Sequence, residues 1–264
     1  MMVPDEYYKA PPVLYKLGLR SKARELAFLG KPSVRALKAH NSTYFSTHLT
    51  RFKGVFNLYS SVASLFNMPM LSYNLGERLK EQQDFFKSYN DYVINYDLVF
   101  DFDSSNNIRV AFDDCMIVRE LLLTNGVACE MIFSGSKGFH LEVRNLPEVK
   151  GEDFTSRVEL FRRFAEFLKD NYKLSSLDLA VYDYARIWKI AYSIDHKTGL
   201  VALPLNSEEI GLLYISDDIR DTINEMCSPD VILPVIRFRE DFYIYGDDSR
   251  NIFKLIKEVM SNEP

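Results

Sequence analysis

Two short stretches carry residue types from which a phosphoryl-transfer site can be built. In YDLVFDFD (96–103) an apolar run, Leu98, Val99 and Phe100, leads directly into Asp101, Phe102 and Asp103. Residues i and i+2 of a strand share a face, about 7 Å apart along the chain, so the two carboxylates can converge on one divalent cation or a pair. In SGSKGFHLEV (134–143) the small residues Ser134, Gly135, Ser136 and Gly138 let backbone N–H groups approach an anion, while Lys137 and His140 bring positive or donor groups to it. Each piece has a plainer reading: a D-x-D pair in an ordinary loop, a hairpin turn, a core histidine. Two acids at the end of an apolar strand fit those readings poorly, because unpaired buried charge is costly. Together the stretches point to metal-dependent nucleotidyl or phosphoryl transfer.

A third stretch, LDLAVYDYARIWKIAYSIDHKTGLVALPL (177–205), places Asp178 before an apolar and aromatic run and follows it with Arg186, Lys189, His196 and Lys197. Polymerase-type chemistry uses two metals about 3.5–4 Å apart and calls for a third carboxylate. Asp178 is the first candidate and Asp183 the alternative. Taken alone, the stretch reads as a strand pair with a Lys197-Thr198-Gly199 turn.

The elements that must position these groups follow from pattern. A short helix from Pro4 is expected to end at Pro11-Pro12, with a second helix over 13–17 or somewhat beyond. Basic residues alternate with apolar ones in 24–28 and 34–38, which reads as strands with one basic face, Arg35 and Lys38 foremost. Residues 55–61 read as a strand, and 76–89 as a helix or a surface excursion. Apolar residues at helical spacing predict a helix over 109–125 closed by Asn125-Gly126, then strands over 129–133 and 139–143 and an amphipathic helix over 154–172. Strand, helix, strand, strand is the order of an RRM-like βαββ unit.

The bounds are those of an ordinary globular protein: 264 residues, 47% hydrophobic, formal net charge −5. The first 55 residues nevertheless hold ten Lys and Arg against three acids, as expected if one face meets a polyanion. Three widely spaced cysteines with no C-x-x-C pair predict a reduced, intracellular protein, and no stretch reads as a membrane span or secretory leader.

In order along the chain, RELAF (24–28), VRALK (34–38), LYSSVASLFNMP (58–69), DLVFDFD (97–103), SGSKGFH (134–140) and LDLAVYDYARIWKIAYSIDHKTG (177–199) resemble the archaeo-eukaryotic primase superfamily, and more narrowly the small catalytic subunit of archaeal and eukaryotic primases. The last three carry most of the likeness. The resemblance implies an α+β primase catalytic core: an N-terminal αβ unit (1–95) and an RRM-like unit (96–264), packed as one catalytic domain over 1–264 with helical decoration. It implies DNA-templated synthesis of RNA or DNA primers from nucleoside triphosphates, with Mg²⁺ or Mn²⁺ held by Asp101, Asp103 and Asp178. Ser134, Lys137, His140, Arg35 and Lys189 would contact the triphosphate. A single-stranded DNA template and a primase large subunit are the implied partners, and no membrane is involved.

Departures from the family pattern concern the third stretch and zinc. Asp195 occupies the column where the family shows histidine, with His196 one place later as the residue that would still reach the phosphate or base, and Asp178 stands about one residue closer to Lys189 than the pattern expects. The interval between the aspartates and the basic turn holds Cys115 and Cys129 and no histidine, so no zinc is expected. The alternatives are a primase-like polymerase of repair or end joining, a stand-alone plasmid or viral primase-polymerase, and a non-catalytic nucleotide- or nucleic-acid-binding relative.

Overall fold

The computed structural model describes residues 4–29, 34–38, 46–48, 57–69, 71, 75–144, 146–148, 152–239 and 251–261. Helices α1 (Pro4–Lys9) and α2 (Pro11–Arg20) meet at Ala10, which is extended at φ −67° and ψ 125°. A residue before proline is pushed out of the helical region, while proline itself suits the first helical turn. Pro11 therefore opens α2 as well as ending α1, and α2 covers the expected 13–17 and continues to Arg20.

Strands β1 (Glu25–Leu29), β2 (Val34–Lys38) and β3 (Asn57–Ser61) are antiparallel neighbours with β1 between the others. The expected strand over 55–61 is described from Asn57 onward; Val55 and Phe56 lie outside the described residues. Strand β4 (Ala63–Leu65) follows, then helices α3 (Leu75–Lys87) and α4 (Tyr89–Tyr92) and strand β5 (Val93–Tyr96), which pairs with β4. Of the two readings of 76–89, helix is the one observed.

The second sheet is built from β6 (Leu98–Asp103), helix α5 (Ile108–Thr124), β7 (Glu130–Phe133), β8 (Gly138–Val143), helix α6 (Glu152–Tyr172) and β9 (Leu177–Asp178). Its order, β7-β8-β6-β9 with every pair antiparallel, extends the expected βαββ unit to a complete βαββαβ arrangement. As expected, α5 closes at Asn125-Gly126, where Gly126 takes φ +68°. Strand β10 (Ile187–Lys189) then crosses back to pair with β3, completing the N-terminal sheet as β10-β3-β1-β2, and β11 (Leu203–Pro204) adds to the free edge of β7. Helices α7 (Ser207–Ile215), α8 (Ile219–Met226), α9 (Pro229–Val235) and α10 (Asn251–Ser261) complete the α+β fold. Among the described residues no helix is long and apolar enough to cross a membrane.

Strand alternation divides the second sheet into unlike faces. Phe100, Phe102, Phe139 and Leu141 are fully buried toward the helices, with Phe139 against Phe112 of α5 and Phe100 against Phe164 of α6. The opposite face carries Asp101, Asp103, His140, Glu142 and Glu130, and it meets the N-terminal elements. Arg20 forms a two-pronged pair with Glu130 at 2.5 and 2.7 Å, Arg24 binds Asp97 at 2.5 Å, and Trp188 Nε1 donates to Glu142 at 2.5 Å.

These pairs change the reading of the basic N-terminus. Arg20, Arg24 and Arg35 are spent on internal carboxylates, and Lys16 and Lys38 donate to the backbone carbonyls of Arg239 and Met68 at 2.5 and 2.8 Å. Lys9 and Lys22 are exposed, while Lys31, Arg51 and Lys53 lie outside the described residues. Half of the ten cations thus tie the two sheets and their connections together, instead of forming a basic face.

Candidate active site

A cavity of about 270 Å³ opens along the seam between the two sheets. Asp101 and Asp103 reach it from β6, His140 from β8, and Ser134, Ser136 and Lys137 from the turn between β7 and β8. The other wall comes from Asn57 and Tyr59 of β3, Trp188 and Lys189 of β10 with Arg186 just before it, and the 195–197 loop. Seven of the residues expected from sequence, Asp101, Asp103, Ser134, Lys137, His140, Lys189 and His196, therefore line one space. Arg35 and Asp178 do not line it.

Asp101 stands across from His140 on one side and Asp178 on the other. Its Oδ1 is buried without a hydrogen-bond partner. Burial, then the charges of Asp103 and Asp178, raise its pKa to about 7, against the opposing pull of Arg186 and Lys137. His140 Nε2 lies 3.6 Å from that oxygen, but burial lowers the imidazole pKa to about 4. The ring is thus neutral at neutral pH, and the contact is not an ion pair. Asp103 binds Lys137 at 2.7 Å, and this hydrogen bond raises the lysine's pKa.

The two third-acid candidates separate clearly. Asp178 is the one adjacent to Asp101, held there because Ser176 is fixed by Asp114 of α5 and accepts from the backbone N–H of Asp103. Its Oδ1 caps the following turn by accepting from Ala180 N at 2.9 Å. Asp183 lies in a later turn, where its carboxylate accepts from Ala185 N at 3.1 Å and its carbonyl from the Tyr96 hydroxyl at 3.0 Å. Among the described residues no group of three or more His, Cys, Asp or Glu side chains is placed to hold a metal ion. The set still fits a hard divalent cation such as Mg²⁺ or Mn²⁺: oxygen donors at i and i+2, one oxygen orphaned, and a carboxyl that burial has made reluctant to ionise.

The basic turn is shaped by close approach. A Cβ on Gly138 would fall 1.9 Å from the Phe102 carbonyl oxygen and 2.7 Å from Asp103 Oδ1, so only glycine lets β8 start flush against the end of β6. Gly135 takes φ +87°, a region open to glycine. The turn is braced from outside: Thr198 Oγ1 donates to Gly135 O at 2.5 Å, and Arg220 of α8 donates to Ser136 O at 2.6 Å.

On the opposite wall Lys189 forms a buried ion pair with Asp195. Burial alone would raise the Asp195 pKa, but the hydrogen bond and charge of Lys189, with the backbone N–H groups of Lys197 and Thr198, hold it below the usual carboxylate value. His196 is bound by Asn57: its Nδ1 meets the amide nitrogen and its backbone N–H donates to Oδ1 at 3.3 Å. Arg35 binds Glu25 at 2.9 and 3.1 Å and donates to Ala185 O at 2.8 Å, next to Arg186.

Sequence reasoning passed over Asn57, Tyr59 and Trp188. Polar residues at 57 and 59 flank Leu58 with the period of a strand that has one polar face, a signal that could have marked the first two. Trp188 is 4% exposed, packs against His140 with ring centres 4.1 Å apart and planes tilted by 40°, and is the chain's single tryptophan.

No protein-family model and no curated protein matches the sequence. Solved structures do match. The polymerase domain of Mycobacterium tuberculosis Ligase D, solved in complex with DNA, aligns over 99% of this chain and 92% of its own at a TM-score of 0.61 and 16% identity, so the two share a fold. The AEP domain of the cyanophage S-2L primase-polymerase aligns over 82% of this chain and 89% of its own, at a TM-score of 0.41 and 14% identity.

Proposed function

We propose that the protein is a DNA-templated nucleotidyltransferase that makes short RNA or DNA primers from nucleoside triphosphates on single-stranded DNA. The observation that carries this reading is the cavity's mixed charge: Asp101 and Asp103 with Lys137 on one wall, facing Arg186 and Lys189 on the other. A polyphosphate needs the cations, and only a reaction that also handles a divalent metal needs the acids beside them.

Asp101 and Asp103, with Asp178 beside them, would hold Mg²⁺ or Mn²⁺. Bound there, the metal would activate the attacking 3′-hydroxyl and offset charge on the leaving pyrophosphate. Lys137 and Lys189 bind the triphosphate oxygens, and Ser134 and the glycine turn add hydroxyl and backbone donors. His140, kept neutral by burial, donates a hydrogen bond without adding a charge. Arg186, whose Nε is buried without a hydrogen-bond partner, turns to the same anion. His196 stays close through Asn57, and Arg35 supports the site at one remove by holding Ala185. A primase large subunit is the partner this reading implies.

A second reading is extension of an existing primer in repair, favoured by the fold shared with a ligase-associated polymerase domain over nearly the whole chain. One assay separates the two: incubation with Mn²⁺ or Mg²⁺ and each nucleotide class on single-stranded DNA, with and without an annealed primer. Products without a primer support the first reading, and products only with a primer the second. Asp101→Ala and Asp103→Ala should abolish incorporation while leaving circular dichroism unchanged. Undiminished synthesis by both variants would overturn either reading.

A further inference from the structure

Lys189 and Asp195 meet on the cavity wall with both side chains under a tenth exposed, yet they are unequally tethered. Asp195 Oδ1 accepts from the backbone N–H groups of Lys197 and Thr198 at 2.9 and 3.3 Å. The Asp195 backbone is bonded in turn to Leu200 O and Gly199 N, at 2.8 and 2.9 Å. Its Cβ lies 3.2 Å from where a side chain on Gly135 would begin, so the residue is packed directly on the basic turn. All of this fixes the carboxylate and leaves Oδ2 for the ammonium. Lys189 ends a flexible four-carbon arm, and among the described residues its Nζ has no other hydrogen-bond partner.

We propose that Asp195 is a positioning residue, which anchors the Lys189 ammonium to the 134–138 turn so that Lys189 and Lys137 form a preset cradle for a nucleotide's polyphosphate. The proposal rests on the polyphosphate-binding reading of this cavity. Its physical content is preorganisation. An ammonium already held at its working position gives up little side-chain freedom when an anion arrives. Burial pulls the Lys189 pKa down, and the facing carboxylate opposes that pull and favours the charged form. The carboxylate's own negative charge acts in the opposite sense on an anion, which makes the two effects separable by sign.

The test is calorimetric titration of inorganic tripolyphosphate into the full chain with EDTA present, so that neither metal nor base contributes. Lys189→Ala is expected to weaken binding about tenfold. Asp195→Asn is expected to weaken it by a similar factor, although it removes a negative charge from an anion site. In the Lys189→Ala background Asp195→Asn should bring no further loss, since only the carboxylate's repulsion of the anion is left to remove. Asp195→Glu keeps the charge but moves the ammonium, and is expected to weaken binding about threefold or more. Should Asp195→Asn fail to fold by circular dichroism, the Glu variant decides.

Equal or tighter binding by Asp195→Asn, an undiminished loss in the double variant, or wild-type affinity in Asp195→Glu overturns the positioning role. No binding by the wild-type chain, or no change in either Lys137→Ala or Lys189→Ala, overturns the polyphosphate reading itself.

Discussion

Asp101 and Asp178 stand directly opposite each other on neighbouring antiparallel strands, yet their carboxylates are treated differently: Asp178 Oδ1 is bonded to a backbone N–H, whereas Asp101 Oδ1 has no hydrogen-bond partner. The strain of the acid cluster is concentrated on Asp101. A carboxyl whose pKa rises on folding binds its proton more tightly in the native than in the unfolded chain. Stability therefore falls as pH rises between about 4 and about 7. In EDTA at pH 8, Asp101→Asn is expected to be more stable than wild type by about 2–4 kcal/mol, a gap that closes toward pH 4. Urea unfolding across this range measures it. Added Mn²⁺ should stabilise the wild type and leave the variant unchanged.

Gly138→Ala places a methyl group inside the contact between β8 and the Phe102 carbonyl. The strands must part where Asp103 and Lys137 meet. A loss of about 3 kcal/mol is expected, with a collapse of nucleotide incorporation even where the variant remains folded. Thermal unfolding and steady-state assays together show both effects.

Glu142 is buried and receives both Arg144, at 2.6 Å, and the Trp188 indole N–H. Glu142→Ala leaves these donors without that acceptor and is expected to destabilise the chain by about 3–5 kcal/mol. Because Trp188 is the single tryptophan, its fluorescence reports the same event: the variant's emission should shift to the red in the native state as the indole loses its place against His140.

Arg35 and Lys137 should part company on mutation. Lys137→Ala acts at the cavity and is expected to raise the apparent KM for nucleotide about tenfold, with stability little changed. Arg35→Ala takes the guanidinium from Glu25, whose side chain is fully buried, and is expected to lower stability by about 3 kcal/mol while raising KM less than Lys137→Ala does. A larger KM effect for Arg35→Ala would place that side chain on the nucleotide's phosphates.

Most of the second sheet was legible in the sequence. Asp101 and Asp103 end an apolar run, and the helix over 109–125 has both a periodic face and a glycine stop. The pairing of Asp178 with Asp101 was not, because β9 is two residues long and carries no alternation to read. The same limit hid the return of β10 to the N-terminal sheet: three residues, one of them tryptophan, do not reveal which strand they will join. The basic character of residues 9–38 was visible, but its partners Glu130 and Asp97 lie some 70 to 110 positions away, and sequence spacing says nothing about such pairs. Asp195 was marked only as a departure from a pattern; its grip on Lys189, six residues earlier, depends on how the chain turns back after β10, and no periodicity marks that turn.

The crossing of β10 onto β3 has a consequence for anyone who would divide this protein. A cut near residue 95 looks natural, since the acids and the basic turn all lie beyond it. The excised C-terminal piece would keep Asp101, Asp103, Lys137 and Lys189 but would lose the strand that carries Asn57 and Tyr59 and holds β10 in register. It would hold the reagents without the bench on which they face each other. The two halves are expected to recover function only when supplied together, as a fragment complementation pair.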